Sequence, residues 1–218
     1  TIEFGNVKFG DIEVCKYYDE NMNGEFDDGE QMLPNWTFNL WSMGEGSESI
    51  VNEGNTDCNG CLKFENLTPG DYIVEEMLKD CWTNTTPLEQ EVEVVAGETT
   101  KVWFGNVENG EIEGYKFCDR DMDQEWDDDE KALEGWTINV YTYQQTKMGE
   151  LVTSSETDED GYYNFDCLKP GTYLVREELP DEWHNSTPRA VVIDIAPGEE
   201  VNVNFSNYRY GNITGMKF

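Results

Sequence analysis

Two acidic loops contain the side chains of this sequence that are best placed to bind an ion. The first loop runs from Asp19 to Glu30 and the second from Asp119 to Glu130. Each has oxygen-bearing side chains at positions one, three, five, nine and twelve and a peptide carbonyl at position seven, which is the pattern of a twelve-residue cation loop. The candidate ligands are Asp19, Asn21, Asn23, Glu25, Asp27 and Glu30, and Asp119, Asp121, Asp123, Glu125, Asp127 and Glu130.

The ligand chemistry of these loops favours Ca²⁺. Calcium takes oxygen ligands, whereas zinc and copper prefer His and Cys, and magnesium dehydrates reluctantly. Gln124 replaces Gly24 at the sharp turn, so we expect the second site to be distorted or weaker. Strand-like sequence flanks both loops, so the ion is expected to order a loop. The alternative is a solvated acidic turn without metal.

A second group of polar residues is predicted to point into an apolar interior. Residues two apart in a strand share a face, so Lys16 lies on the face of Ile12 and Val14. The same rule places Glu76 and Asn106 on apolar faces. An unpaired buried lysine is unfavourable, so these polar residues are expected to converge. The two sets are Lys16, Glu76 and Asn106, and Lys116, Glu177 and Asn207.

The elements that position these residues are short strands in two tandem copies. The acidic loop, a Trp-Thr pair and a Pro-Gly-x-Tyr segment recur after about 100 residues, a period typical of tandem domains. Alternating apolar runs between Asn-Gly, Asp-Gly and Pro-Gly turns predict an antiparallel β-sandwich in each copy. The short junction between copies predicts a semi-rigid rod. The predicted parts are the end of a preceding repeat at 1–10, repeats at 11–106 and 107–207, and the start of a following repeat at 208–218.

Composition excludes several classes of function. The 218 residues include 47 acidic and 14 basic side chains, for a formal net charge of −33, so we expect no binding to nucleic acid. No apolar stretch is long enough to insert this segment into a membrane. Six cysteines, one histidine and five Asn-x-Ser/Thr sequons favour an extracellular, glycosylated protein over a His-rich metal site. The sequons begin at Asn35, Asn66, Asn84, Asn185 and Asn212.

The cysteines predict disulfide bonds. In the second repeat, the simplest pairing joins Cys118 to Cys167. The first repeat permits three pairings. The preferred one joins Cys58 to Cys61 and Cys15 to Cys81. A redox or zinc site at the Cys-x-x-Cys is an alternative, although no second such pair accompanies it.

The combined order of motifs resembles the serine-aspartate-repeat adhesin B-type and collagen-adhesin B-type (Cna-B-like) domains. The order comprises Ile112-Glu-Gly-Tyr-Lys-Phe117, the Asp-rich loop, Trp136-Thr137, Leu168-Lys-Pro-Gly-Thr-Tyr-Leu-Val-Arg-Glu177 and Phe104-Gly-Asn106, and it spans nearly the whole chain. The resemblance implies immunoglobulin-like or transthyretin-like β-sandwiches. In bacterial and archaeal surface proteins such domains serve as stalks, pilus modules or adhesin spacers.

The same resemblance implies a covalent role for the buried polar residues. In Cna-B-like domains, a lysine of the opening strand and an asparagine of the closing strand form an isopeptide bond with the help of a glutamate. The matching positions are Lys16 and Asn106 with Glu76, and Lys116 and Asn207 with Glu177. The alternative is an ordinary ion pair between each lysine and its glutamate.

Three classes of function follow from these features. The leading prediction is a non-catalytic structural module of an extracellular surface protein, filament or sheath, in contact with neighbouring repeats and able to self-assemble. The second is an adhesin whose exposed aromatics, such as Trp41, Trp126 or Tyr141 to Tyr143, bind a glycan or protein. Enzymatic activity is not expected, because the lone His184 has no counterpart in the first repeat. Strand addition by 2–6 and 213–218 is a further route to polymers.

Overall fold

The computed structural model describes residues 7–44, 47–211 and 214–217. Within these ranges the protein consists of strands and turns, and it contains no helix that is long and apolar enough to cross a membrane. The chain divides into two compact units, residues 1–108 and 109–218. This all-β architecture in two tandem domains confirms the predicted fold class.

The first unit is a sandwich of two four-stranded sheets. One sheet has the order β4-β1-β8-β6 and the other has the order β3-β2-β5-β7. The strands are β1 (Gly10–Tyr18), β2 (Thr37–Gly44), β3 (Ser47–Asn55), β4 (Cys61–Leu67), β5 (Gly70–Glu76), β6 (Trp82–Asn84), β7 (Glu89–Val94) and β8 (Thr99–Glu108).

The second unit repeats this arrangement with more divided strands. One sheet has the order β12-β11-β14-β16, and in the other β9 pairs with β10, β13, β17 and β18, while β15 pairs with β18. The strands are β9 (Gly110–Cys118), β10 (Lys131–Ala132), β11 (Thr137–Gln144), β12 (Lys147–Glu156), β13 (Tyr162–Leu168), β14 (Gly171–Glu177), β15 (His184–Asn185), β16 (Ala190–Ile195), β17 (Glu200–Asn202) and β18 (Phe205–Tyr208).

Period-two patterning fills the core of each unit. In β5, Tyr72, Val74 and Glu76 are buried, whereas Ile73 and Glu75 between them are only half-buried. The core of the first unit includes Ile12, Val14, Trp36, Phe38, Leu40, Phe64, Val74 and Phe104, and that of the second includes Ile112, Ile138, Val140, Phe165, Val175 and Phe205. The turns Asn59-Gly60 and Asp160-Gly161 place both glycines at φ +73°, a backbone conformation that side chains with a Cβ rarely adopt.

One pair of strands in each unit departs from the predicted antiparallel arrangement. The opening strand β1 pairs with the closing strand β8 in parallel, with Lys16 opposite Phe104 and Tyr18 opposite Asn106. In the second unit, β9 pairs in parallel with β17 and β18. Parallel neighbours require a long crossover, and here the crossover is the rest of the domain. The two ends of each unit are thereby joined by one ladder.

The closing strand of the second unit is divided into β17 and β18, whereas β8 closes the first unit as one strand. Val203 donates its N–H to the carbonyl of Glu113, and the Asn204 side-chain oxygen accepts the N–H of Tyr115 at 2.8 Å. The chain approaches Gly114 so closely that a Cβ there would lie 1.9 Å from the Val203 carbonyl oxygen. A side-chain amide thus replaces a backbone group in the ladder, and glycine leaves room for it.

Candidate functional site

The polar residues Lys16, Glu76 and Asn106 meet in the core of the first unit. They come from β1, β5 and β8, so both sheets contribute, and all three are buried. The Lys16 Nζ lies 3.0 Å from each Glu76 carboxylate oxygen. The Asn106 side-chain amide donates a hydrogen bond to Glu76 Oε1, and the buried Asn106 Oδ1 has no hydrogen-bond partner among the residues that the structure describes. The glutamate therefore bridges the lysine and the asparagine.

Burial favours the neutral forms of this lysine and glutamate. Desolvation lowers the pKa of Lys16 to about 8, against the opposing attraction of Glu76. Desolvation likewise raises the pKa of Glu76, with Lys16 and then Asn106 opposing the shift. A neutral amine is a nucleophile, and a protonated carboxyl group can donate to a carbonyl oxygen. A half-turn of the Asn106 carboxamide would present its unpartnered Oδ1 to the carboxyl proton.

The second unit assembles the equivalent residues more loosely. The Lys116 Nζ lies 3.4 Å from Glu177 Oε2 and donates to the Phe205 carbonyl at 3.2 Å. The Asn207 amide donates to Glu177 Oε2 at 2.9 Å, while Asn207 Oδ1 and Glu177 Oε1 are buried without partners. Desolvation lowers the pKa of Lys116 to about 8 and raises that of Glu177. The same chemistry is available in both units.

Each buried lysine also contacts a tryptophan that the sequence analysis did not assign to the site. The Lys16 Nζ lies 4.6 Å from the Trp36 ring centroid, and the Lys116 Nζ lies 4.5 Å from the Trp136 ring centroid. An aromatic face stabilises an ammonium group without accepting its proton. The repeated Trp-Thr pair was the signal that could have identified both residues.

The first acidic loop is organised around Asp19, which is fully buried. Its Oδ2 accepts the N–H of Gly24 at 2.8 Å, and its Oδ1 accepts that of Asn23 at 3.1 Å. The Asn21 and Asn23 amides both donate to Asp27 Oδ2 at 2.8 Å, and Glu30 Oε2 accepts the Asp27 N–H at 3.0 Å. The predicted ligands at positions one, three, five, nine and twelve thus surround one region. Glu25 lies at position seven, where the pattern uses only its carbonyl.

The second acidic loop brings three carboxylates together. Oxygens of Asp119, Asp121 and Asp123 lie within 4.8 Å of one another, an arrangement that fits a hard cation. Desolvation, and then the charges of Asp123 and Asp121, raise the pKa of Asp127. The remaining candidates are engaged through the backbone, since Glu130 Oε1 accepts the Arg120 N–H at 2.6 Å and Asp123 Oδ1 accepts the Glu125 N–H at 2.8 Å.

The turn at Gln124 reproduces that at Gly24 despite the different side chain. Gly24 has φ +78° and Gln124 has φ +71°. Both backbone N–H groups reach the buried first aspartate of their loop, at 2.8 Å in the first loop and 3.1 Å in the second. Because a residue with a Cβ is disfavoured in this conformation, the second loop holds its shape at the expense of backbone strain.

An aromatic residue at position eight attaches each loop to a sheet. The Phe26 ring stacks on Trp103 of β8, with centroids 4.6 Å apart and planes at 8°. The Trp126 ring stacks on Phe117 of β9, with centroids 5.4 Å apart and planes at 2°. Phe26 was not among the predicted site residues, and the recurrence of an aromatic residue at this position was the available signal.

The structure overturns the disulfide predictions. Cys15 is bonded to Cys61, so neither the predicted Cys58–Cys61 bond nor the predicted Cys15–Cys81 bond is present. Cys58 and Cys118 are free thiols, which also excludes the predicted Cys118–Cys167 bond. The physical reason is register, because Cys15 and Cys61 lie directly opposite each other across β1 and β4. In the second unit the equivalent cross-strand pair is Tyr115 and Tyr162.

The sequon asparagines occupy different environments. Asn35 and Asn66 are exposed. The Asn84 and Asn185 amides donate to the carbonyls of Thr86 and Thr187 at 2.7 and 2.9 Å. Asn212 lies outside the described residues, as do most residues of the two terminal segments predicted to add strands.

Comparison with known families matches each unit to a surface-protein domain. Residues 110–203 match the model of the SdrD B-like domain, and residues 25–108 match the SpaA prealbumin-like fold domain. Domains of these kinds are non-enzymatic structural modules of extracellular adhesins and pilins.

Individual relatives are distant and much longer. Colossin-A of Dictyostelium discoideum is 28% identical over 84% of this chain, which spans 2% of that protein. Serine-aspartate repeat-containing protein D of Staphylococcus aureus strain Newman is 28% identical over 74% of this chain, which spans 13% of that protein. A streptococcal ancillary pilin structure is 17% identical, with a TM-score of 0.46 over 95% of this chain and 64% of the pilin.

Proposed function

Because the chain belongs to the SpaA prealbumin-like family over residues 25–108 and to the SdrD B-like family over residues 110–203, we propose that it stiffens an extracellular surface protein through internal cross-links and calcium. The chain is a non-enzymatic, extracellular structural module. The observation that carries the proposal is the buried lysine, glutamate and asparagine set between the first and last strands of each unit.

The cross-link is an isopeptide bond between Lys16 Nζ and Asn106 Cγ, and between Lys116 Nζ and Asn207 Cγ. The neutral amine attacks the carboxamide carbon, the new N–C bond forms, and the bond from Cγ to Nδ2 breaks. The glutamate carboxyl group donates a proton to the carbonyl oxygen and carries the amine proton to the leaving nitrogen, which departs as ammonia. The short contacts of Glu76 to both partners support this role.

The position of the bond explains its mechanical value. The parallel strands β1 and β8 enter and leave the first unit at opposite ends of their ladder, so tension along the chain slides one strand against the other. Ladder hydrogen bonds from Asp11 opposite Thr99 to Tyr18 opposite Asn106 then share the tension in shear. A covalent bond across these two strands prevents the sliding, because breaking it requires chemistry rather than unfolding.

Intact mass tests the cross-links directly. Each bond lowers the mass by about 17 Da, the mass of ammonia, so the denatured, reduced and deglycosylated chain is expected about 34 Da below its sequence mass. Glu76→Gln removes the proton carrier of the first unit, so this variant should keep one ammonia and lie only about 17 Da below its own sequence mass. Glu75→Gln is the matched control, because Glu75 lies on the outer face of the same strand. A wild-type chain at its full sequence mass contradicts the proposal.

Calcium is the second stiffening element that we propose. The oxygen donors of both loops suit a hard cation, and the buried Asp19 and Asp119 fix each loop to the end of an opening strand. Bound calcium would neutralise the crowded carboxylates and hold Phe26 and Trp126 against their sheets. The ion therefore acts as an ordering element of the fold.

Thermal unfolding with calcium and with chelator tests this element. A ligand that binds only the folded state must raise its stability, so calcium should increase the melting temperature. Glu30→Gln and Glu130→Gln remove the last ligand of each loop and should reduce that increase. Asp28→Asn and Asp128→Asn change neighbouring acidic residues outside the ligand pattern and should leave most of the calcium-dependent increase in melting temperature. Equal melting temperatures with calcium and chelator contradict calcium binding.

The adhesin alternative gains no support from Trp126, and Trp41 is only partly available. Trp41 is partly buried and donates its indole N–H to Glu75 at 2.8 Å. The Trp126 ring is stacked on Phe117. A role in assembly with neighbouring repeats or further copies is the better supported partner class, because pilin-like domains are modules of polymers.

A further inference from the structure

Two equivalent grooves on the outer faces of the sandwiches carry opposite charges. The acidic groove, of about 220 Å³, lies on the sheet β3-β2-β5-β7 and is lined by Trp41, Ile73, Glu75 and Glu89. The basic groove, of about 250 Å³, lies on the sheet β12-β11-β14-β16 and is lined by Asn139, Tyr141, Arg176, Glu178, Leu179 and Arg189. Arg176 occupies the strand position that Glu75 occupies in the first unit.

The charged groups of both grooves form no salt bridge among the described residues. In that part of the chain, no basic side chain lies within 4.0 Å of the Glu75 or Glu89 carboxylate, and no carboxylate lies that close to the Arg176 or Arg189 guanidinium. The Arg189 charge acts at longer range on the buried Glu177, where it opposes the raised pKa of that carboxyl group. Glu75 accepts hydrogen bonds from the neutral Asn39 and Trp41 side chains. These charges are available to a partner.

The basic groove contains one acidic residue, Glu178, which accepts a hydrogen bond from a neighbouring side chain. The Asn139 amide donates to Glu178 Oε1 at 3.1 Å. Arg189 Nε donates to the Glu177 backbone carbonyl at 3.3 Å, which orients its guanidinium. With two arginines against one glutamate in its lining, the groove has a net positive charge in a protein whose formal charge is −33.

An exposed aliphatic residue lies beside each groove. Ile50 lies opposite Trp41 across β2 and β3, and Leu151 lies opposite Tyr141 across β11 and β12. Ile50 is 50% exposed and Leu151 is 55% exposed. Each surface thus presents an aromatic residue between an exposed aliphatic residue and a pair of charges. The two surfaces share this arrangement and differ in the sign of their charge.

We propose that the acidic groove of one copy of this chain binds the basic groove of a second copy, which joins chains side by side through Glu75 and Glu89 against Arg176 and Arg189. This interaction deepens the proposed structural role and rests on it, since it names the partner as another copy. The contact is heterologous, so the first copy keeps its basic groove free and the second copy keeps its acidic groove free, and each can bind a further copy.

The long-range charge of the chain shapes how this contact responds to salt. Two copies of net charge −33 repel each other when screening is weak, whereas the grooves attract only at short range. At physiological ionic strength the Debye length is about 8 Å, which screens the overall repulsion more than a close contact. Association should therefore be weak at low salt, strongest near physiological salt and weaker again at high salt.

Sedimentation velocity of the whole chain over a roughly hundredfold concentration range tests the contact. Wild type should associate with concentration near physiological salt, and Arg176→Glu with Arg189→Glu should weaken the association by at least about tenfold, because like charges then face each other. The control Lys147→Glu with Lys169→Glu makes the same change in net charge at exposed positions outside the grooves and should leave the association largely unchanged.

A charge exchange separates contact from misfolding. Glu75→Arg with Glu89→Arg should also weaken self-association, whereas an equal mixture of this variant with Arg176→Glu and Arg189→Glu should associate, because opposite charges meet again. A monomeric wild type, or variants that associate like wild type, overturns the proposal. Intact mass and the calcium melt are read on the same samples, so failure of the cross-links or of calcium binding is distinguishable from failure of this contact.

Discussion

At the scale of single residues, the two buried lysines are energetically unfavourable side chains. Lys16 and Lys116 are fully buried, and burial of an ammonium group is opposed by its lost hydration. A glutamate and a tryptophan face offset part of that loss in each unit. Conversion of the amine to an amide removes the charge altogether, which gives the proposed cross-link a thermodynamic as well as a mechanical benefit.

Stability between pH 8 and 10 should distinguish free lysines from cross-linked ones. The pKa of each lysine is lowered to about 8 in the folded state, so over this range the unfolded chain binds more protons and stability rises with pH. A variant with both Asn106→Ala and Asn207→Ala keeps both amines free. From pH 8 to pH 10, its free energy of unfolding, measured with denaturant, should rise by about 2 kcal/mol per lysine. Cross-linked wild type should lack this gain, and parallel curves for the two proteins would contradict the cross-link.

The disulfide between Cys15 and Cys61 should contribute strongly to the first unit. It closes a loop with a sequence separation of 46, so replacing both cysteines with serine should lower the free energy of unfolding by about 3–4 kcal/mol. Cys58→Ser is the control and should have little effect, because Cys58 is an exposed free thiol. Urea unfolding measures the loss, and peptide mapping under non-reducing conditions should recover Cys15 joined to Cys61.

At the scale of elements, the two acidic loops show how one backbone shape is reached from different sequences. Gly24 adopts a left-handed conformation without a steric penalty, and Gln124 adopts it because the buried Asp119 accepts its N–H. The aromatic residue at position eight then stacks on a side chain of β8 in the first unit and of β9 in the second. Loop shape is therefore local, whereas loop attachment depends on the neighbouring strand.

Gln124→Gly should relieve the strain in the second loop. Removing a Cβ at φ +71° is expected to stabilise the loop by about 1 kcal/mol and to tighten calcium binding several-fold. The reverse change, Gly24→Gln, should weaken the first site by a similar amount, because a residue with a Cβ is strained at φ +78°. Steric overlap adds little, since the Cβ would meet only the Thr85 carbonyl oxygen, at 3.4 Å. Calorimetric titration of both variants measures the shift. Tighter binding by Gly24→Gln would contradict the strain argument.

Phe26→Ala should uncouple the first loop from its sheet. The lost stacking on Trp103 is expected to remove about 1–2 kcal/mol from the calcium-bound protein and less from the chelated protein. Val95→Ala truncates another partly exposed apolar residue of the same unit and serves as the control. Unfolding with calcium and with chelator gives both values. An equal loss under the two conditions would show that the ring packs independently of the ion.

At the scale of the whole molecule, charge dominates the response to solution conditions. A net charge of −33 over 218 residues destabilises the compact state through self-repulsion. Calcium bound as proposed would reduce that charge in the two acidic loops, whereas dissolved salt screens the charge of the whole surface. Both actions should stabilise the folded chain, but only calcium would act at defined positions.

Sodium chloride should therefore stabilise the calcium-free protein. Raising its concentration from about 10 mM to about 150 mM shortens the Debye length from about 30 Å to about 8 Å and should increase the melting temperature. The increase should be smaller with calcium present, because the crowded carboxylates are then already neutralised. Differential scanning calorimetry measures both series. A melting temperature that falls with salt would show that attractive surface ion pairs outweigh the repulsion.

Local periodicity explains why much of this protein could be predicted from its sequence. The period-two rule identified the buried face of β1, β5 and β8, because alternation depends only on neighbouring residues in one strand. The repeat near 100 residues predicted two domains, and the oxygen spacing of each loop identified the candidate ligands. Burial of Lys16 and the turns at Gly60 and Gly161 follow from such local chemistry.

Contacts between distant strands were decided only by the tertiary structure. Cys15 bonds to Cys61 because β1 and β4 meet in that register, whereas the sequence permitted three pairings and the preferred one joined Cys15 to Cys81. The parallel pairing of β1 with β8, and the meeting of Glu75 with Glu89 in one groove and of Arg176 with Arg189 in the other, likewise depend on which strands become neighbours. Strand register brings residues that are far apart in the sequence into contact, and a local sequence pattern does not specify which residues these are.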